Sequence, residues 1–173
     1  MDSLARQNFS RECEAAINKQ INMELEASYA YFAFASFYDQ DTVALPNVAE
    51  FFRKMSHEET EHAKKFAHYQ NQRGGRVVYQ DIKKPSKVTF SSLQEAMETS
   101  LNMEKAVNES LLQMHRIAGE HHDPALQDFL ETEFLQEQVR SIKEFADYVT
   151  QTKRNGPNLG EYLFERLSLK DSH

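Results

Sequence analysis

Cysteine occurs once, at Cys13, so no disulfide framework can hold the chain together. Glycine (5) and proline (4) are nearly as scarce, which leaves long stretches without a helix breaker and argues against an all-β domain. No run of about 18 apolar residues exists, so nothing is expected to span a bilayer. The first ten residues, MDSLARQNFS, lack the apolar core of a secretory leader, which makes the cytosol the expected compartment. Positive charge is also in deficit: 20 basic residues face 27 acidic ones, a formal net charge of −7. Nonspecific attraction to nucleic acid or to an anionic membrane is therefore not supported, and cations are the expected partners. The 173 residues suffice for one core and are few for two, so residues 1–173 are expected to form a single domain.

What is present is helical periodicity. From 10 to 39, Cys13, Ile17, Ile21, Ser28, Tyr31 and Ala35 lie along one stripe. After the turn-rich DQDTVALPN, a second stripe of Leu45, Val48, Phe52, Met55, Phe66 and Tyr69 predicts a helix over 46–73, which stops at Gly74 and Gly75. A third runs from Ser92, a capping residue with Glu95 three positions on, to about 121 through Leu93, Met97, Ser100, Val107, Leu111, Met114 and Ala118. Asp123-Pro124 then opens a fourth, continuous helix over 124–154 with Leu130, Phe134, Phe145 and Tyr148 facing inward. A short fifth is expected over 160–169. Four helices of roughly 28 residues, each about 40 Å long with one apolar stripe, make a four-helix bundle. Short links make two antiparallel hairpins, whereas residues 75 to 91 carry no helical pattern and, extended, reach more than about 50 Å. That loop is long enough to cross the bundle from end to end. No internal repeat or low-complexity segment is visible.

Polar residues interrupt all four stripes. Glu24 follows Ile17 by seven residues and Ile21 by three, Glu59 follows Met55 by four, His62 lies one turn beyond it, and Glu104 falls between Ser100 and Val107. On the fourth helix the interruption is Gln138, with Ser141 three residues on. Measured from the hairpin turns, Glu24, Glu59, His62, Glu104, Gln138 and Ser141 all lie about 16 to 19 residues away, hence at one mid-bundle level. Three carboxylates buried together either take up protons as a hydrogen-bonded network or are neutralised by a metal, and a metal is the simpler account. Oxygen-rich donors with one imidazole suit iron or manganese better than zinc or copper. Bundles that hold two irons use a Glu from each of two helices and a Glu-x-x-His pair from each of the other two. Glu59-x-x-His62 is one such pair; the other is degraded to Gln138-x-x-Ser141, so one metal position should be stronger than the other.

These residues, together with the segments QINMELEASYAYF, SHEETEHAKKF, RGGRVVYQDIKKP, LNMEKAVNESLLQMH, DPALQDFLETEFLQEQV and GEYLF, resemble the ferritins over nearly the whole chain, in particular the heavy-chain type. The resemblance implies an all-α ferritin-like bundle with a long crossover loop and a short fifth C-terminal helix. It implies a ferroxidase centre with Glu24, Glu59 and His62 around one iron and Glu59, Glu104 and Gln138 around the other. Two irons per subunit would be oxidised by dioxygen and deposited as ferric mineral inside a cage of 24 subunits, formed alone or with other ferritin subunits. Tyr31 matches a tyrosine that the family places beside the centre, as a donor of hydrogen bonds or of an electron; a packed core tyrosine fits equally well. Glu58 and Glu61 match carboxylates of the inner surface that assist mineral nucleation, but Lys64 stands at a position often acidic there, which implies weaker nucleation. Asp128 and Glu131 match the residues that line a funnel where three subunits meet. Leu163 and Leu167 imply an apolar fourfold channel.

Competing readings are weaker. His57 and His62 are five apart, about 140° around a helix, and not the four that a zinc protease needs. Met55 and Met103 at helical spacing are core-filling residues, and no haem is expected. His115, His121 and His122 are solvated or line a channel, and Cys13 is a small buried residue. A passive cage subunit that stores iron without oxidising it would not keep Glu24, Glu59, His62 and Glu104. A helical signalling protein, another bundle with long crossovers, would carry a leader and disulfides.

Overall fold

In the computed structural model, which describes residues 1–170, the chain forms α1 (Arg11–Tyr38), α2 (Pro46–Gln72), α3 (Leu93–Glu120), α4 (Pro124–Leu130), a π-helical turn (Glu131–Leu135), α5 (Gln136–Asn155) and α6 (Leu159–Leu167). The starts follow from capping chemistry. The Ser10 and Ser92 hydroxyls accept the Cys13 and Glu95 N–H groups at 3.0 and 3.1 Å, and the Asp123 carboxylate accepts that of Leu126 at 3.1 Å. Leu45, before Pro46, offers no such cap. Instead the N–H of Asn47 donates to Glu165 of α6 at 3.0 Å, and that of Leu93, at the start of α3, to Glu161 of α6 at 2.7 Å. Two carboxylates of the short last helix therefore seat it on the N-termini of two long ones. Beyond α2, Gly74 takes φ +81, a left-handed conformation, and a Cβ there would meet Ser3 Oγ at 2.3 Å.

The interior divides into two apolar clusters. One gathers Tyr31, Phe34, Tyr38, Phe52, Met55, Met97, Phe145 and Phe164; the other gathers Cys13, Ile17, Phe66, Leu111, Met114, Leu130 and Phe134. Along each long helix the sequence passes from one cluster to the other, and Glu24, Glu59, His62, Glu104 and Gln138 fall at the passage. Residues 73 to 92 contain no helix. They are tied to α1 by Asn18, whose amide donates to the Arg76 carbonyl (3.0 Å) and whose Oδ1 accepts the Val78 N–H (3.1 Å). They end with Phe90 edge-on to Phe34, at 4.8 Å between ring centroids, inside the opposite cluster.

Three expectations are corrected. Ser28 is not part of the apolar stripe: its hydroxyl bonds to the Ser56 carbonyl (2.9 Å) and to Thr60 Oγ1 (2.8 Å) in a polar seam between α1 and α2. The fourth helix is not one continuous α-helix, because the π turn interrupts it. Its inward residues Leu126, Leu130, Phe134 and Gln138 are spaced by four throughout. In an α-helix every such step overshoots a full turn by about 40°, so three of them would rotate Gln138 about 120° off the stripe. The wider turn absorbs one residue and keeps Gln138 facing inward. Leu169, assigned to the last helix from sequence, is buried just beyond its end.

Candidate metal centre

Glu24 from α1 and Glu59 and His62 from α2 bring one ligand atom each to within 4.8 Å of one another, and all three are buried. His62 Nδ1 lies 3.5 Å from Glu59 Oε2 and 3.8 Å from Glu24 Oε2. Those two carboxylate oxygens are buried without a hydrogen-bond partner. Orphaned carboxyl oxygens facing an imidazole nitrogen would be costly in a finished protein core, and they are the donors that a divalent cation of the iron or manganese type takes.

The protons on the site follow from burial and proximity. Burial pushes the Glu59 carboxyl well above the usual carboxylate range, and the neighbouring Glu24 adds to the effect. Burial acts on Glu24 in the same sense, yet its contacts with Glu59 and His62 outweigh it and draw Glu24 below that range. Two carboxyls buried this close do not both ionise freely, so the pair shares a proton between them. For His62 burial opposes the charged ring, but Glu137, Glu24 and Glu59 overcome it and push its pKa up to about 12. A cation binding here must displace these protons.

Glu104 and Gln138 face each other at the same level. The Gln138 amide donates to Glu104 Oε2 at 2.5 Å and to the Glu104 carbonyl at 2.9 Å, while the Tyr31 hydroxyl donates to Glu104 Oε1 at 2.5 Å. Burial raises the Glu104 carboxyl although these two donors oppose it, and burial followed by Glu104 raises the Tyr31 hydroxyl well above its ordinary value. Tyr31 is fully buried, with its ring stacked between Phe52 and Phe145 at centroid distances of 5.9 and 6.3 Å. Ser141 is half-buried.

The remaining sequence candidates lie outside this group. Glu58 is half-buried, and its carboxyl is raised by burial against the pull of Lys54. Glu61 pairs with Lys64 at 3.0 Å, which draws its carboxyl down. Asp128, on α4, and Glu131, the first residue of the π turn, are exposed, and Glu131 pairs with His115 at 2.9 Å. Met55 packs in the core cluster with Met103 against it.

Two residues escaped the sequence reading. Glu137 Oε1 sits 3.1 Å from His62 Nε2, fixing the ring from the side opposite Glu24 and Glu59, and His62 draws its carboxyl down. Its position three residues after Phe134, on the rim of the apolar stripe, was the available signal. Gln20 donates to Glu24 Oε1 at 2.9 Å. Its signal was a polar residue three after Ile17 and one helical turn before Glu24.

A helical bundle with a buried mid-level layer of three carboxylates, an imidazole and an amide defines a class, the bundles that carry a candidate metal site between their helices. Comparison with known proteins narrows it. The family model described as "Ferritin-like domain" matches residues 14–155. The chain is 60% identical over 169 residues to "Ferritin-2 heavy chain" of Schistosoma mansoni, covering 98% of each chain. It is 54% identical over 170 residues to "Soma ferritin" of Lymnaea stagnalis, again covering 98% of each. It is 55% identical over 168 residues to "Ferritin heavy chain" of Echinococcus granulosus, covering 97% of each. The chain belongs to the ferritin family.

Proposed function

We propose that the protein is an iron-storage subunit with ferroxidase activity, which oxidises Fe(II) with dioxygen and deposits the ferric product inside a shell of 24 subunits. The observation that carries this reading is the convergence of Glu24 Oε2 and Glu59 Oε2, both buried and unpartnered, on His62 Nδ1. The heavy-chain names of two of its relatives support it. Iron is substrate and cargo here: each Fe(II) gives one electron to dioxygen and leaves as Fe(III).

Glu24, Glu59 and His62 bind the first iron, giving up the protons that the carboxyl pair and the imidazole hold as they do so. Glu59, Glu104 and Gln138 hold the second. That position is the weaker one, because Gln138 contributes a neutral oxygen and already donates both amide hydrogens to Glu104. Anionic oxygens favour the ferric over the ferrous state, so the same donors that bind the substrate also pull it toward oxidation. Tyr31 orients Glu104 through its hydroxyl. Glu58 and Glu61 serve transit and nucleation at the inner surface, and the Lys64 pair weakens Glu61 in that role.

The test is aerobic Fe(II) addition with stopped-flow absorbance. Glu59→Ala and His62→Ala are expected to abolish rapid oxidation while circular dichroism still reports the helical bundle. His62→Ala should melt lower than Glu59→Ala, because it removes the imidazolium that offsets Glu24. Parental initial rates in both variants would overturn the assignment.

A further inference from the structure

Glu24 is a ligand whose two oxygens stand in different company. Oε2 is buried, has no hydrogen-bond partner and faces His62 Nδ1 at 3.8 Å. Oε1 accepts from Gln20 Nε2 at 2.9 Å. Gln20, one turn earlier on α1, is wholly buried, and its carbonyl oxygen accepts from the Ser110 hydroxyl of α3 at 2.7 Å. A line of three polar side chains therefore runs from α3 into α1 and ends on the carboxylate that faces the candidate metal position.

The chemistry of this line is directional. A carboxylate only accepts, so the Gln20 amide must turn its NH2 toward Glu24, which leaves its carbonyl for a donor, and Ser110 supplies that donor. Gln20 occupies a position flanked by the core residues Ile17 and Ile21, where an apolar side chain would fill the space without burying an amide. An unrestrained glutamate samples several rotamers and can offer a cation one oxygen or both. Engaging Oε1 from behind removes that freedom.

We infer that Gln20, oriented by Ser110, is a positioning residue: it occupies Glu24 Oε1 and presents Oε2 alone to the cation that Glu24 shares with Glu59 and His62. The inference rests on the reading of those three residues as a metal centre. It concerns the apo geometry and cation affinity, and needs no oxidation step to be observed.

The experiment is anaerobic titration of the assembled protein with Co(II) as the only metal, followed by its visible absorption, on the parent and on Gln20→Met, Ser110→Ala, Glu24→Gln, Glu59→Gln and Gln20→Met/Glu24→Gln. Methionine keeps the length and bulk of Gln20 and lacks the donor. Loss of such an outer partner typically weakens a metal site about 10- to 100-fold. Gln20→Met is expected to weaken Co(II) within that range, and Ser110→Ala by a smaller factor in the same direction. In the Glu24→Gln background Gln20→Met should add nothing, a coupling that a purely packing role would not produce. If Glu24→Gln and Glu59→Gln weaken Co(II) while Gln20→Met leaves it unchanged, the positioning role is overturned and the metal centre stands. If neither ligand variant weakens Co(II), the metal centre itself is overturned. Should Gln20→Met fail to fold, an unchanged affinity in Ser110→Ala overturns the inference.

Discussion

At the scale of single residues, a change of one heteroatom decides the character of the proposed second metal position. Gln138 puts two N–H donors against Glu104, and Gln138→Glu would replace them with a second anion at about the same place. The variant is expected to melt below the parent without metal, because two buried carboxylates then repel, and to gain more stability than the parent from added Co(II), because an anionic oxygen replaces a neutral one. Melting curves with and without the metal check both halves; an equal metal-induced shift in variant and parent would refute the role of Gln138. A carboxylate far from the site illustrates the opposite balance. Burial acts to raise Glu14, but the Arg76 N–H at 2.9 Å, Arg6 at 2.8 Å and Arg11 at 3.0 Å outweigh it and hold its carboxyl below the usual range. A depressed pKa means stability that is fully present above the unfolded-state value of about 4.3 and is lost as pH falls through the folded value. Glu14→Gln should therefore unfold more easily than the parent at neutral pH, with the difference shrinking as the pH is lowered from about 5 toward 3. A difference that grows on acidification would contradict this account.

At the scale of elements, the π turn is a register correction. Removing one residue from it turns the inward spacing 4, 4, 4 of Leu126, Leu130, Phe134 and Gln138 into 4, 3, 4, which drifts only about 20° in a regular α-helix. Deletion of the exposed Thr132 is accordingly expected to give a continuous helix that keeps Phe134 and Gln138 inward and melts within a few degrees of the parent. Deletion of the equally exposed Lys143 shortens the spacing between Gln138 and Phe145, turns fully buried Phe145 about 100° out of the core, and should cost about 3–5 kcal/mol, as emptying a large core site does. Thermal denaturation of the two deletions side by side decides the point. The hairpin order, the caps at Ser92 and Asp123 and the stop at Gly74 were legible in the sequence, because they depend on residues within one turn of each other. The π turn was signalled only by three consecutive spacings of four, which average periodicity conceals.

At the scale of the whole molecule, two surface features follow from the proposed shell. Leu159, Leu163 and Leu167 recur every four residues on α6 and are exposed, the stripe that would meet its copies around a fourfold axis. Asp128 and Glu131 are exposed near the C-terminal end of the α3–α4 hairpin, and in the shell their copies would form rings of carboxylates that attract Fe(II). Asp128→Asn with Glu131→Gln should slow oxidation at limiting Fe(II) and leave the ligands of the centre in place. The slowing should fade at high salt, since the field of an exposed ring is screened over roughly 8 Å at physiological ionic strength. Initial rates of the assembled double variant at low and high salt measure this; rates equal to the parent at low salt would place the iron inlet elsewhere.

Local chemistry and periodicity set the number of helices, their partners and the level at which Glu24, Glu59 and His62 meet, because a 3.6-residue repeat fixes faces and a 1.5 Å rise fixes depth. Spacing along the chain says nothing about which oxygen of a carboxylate is engaged. The pairing of Gln20 with Ser110, of His62 Nε2 with Glu137 and of Glu104 with Gln138 and Tyr31 joins side chains across packed helices. So does the seating of α6, whose Glu161 and Glu165 cap helices some 70 to 120 residues earlier in the chain, with separations of 68 and 118. Only tertiary packing decides these contacts, because a hydrogen bond depends on tenths of an ångström between atoms whose relative placement no single helix determines.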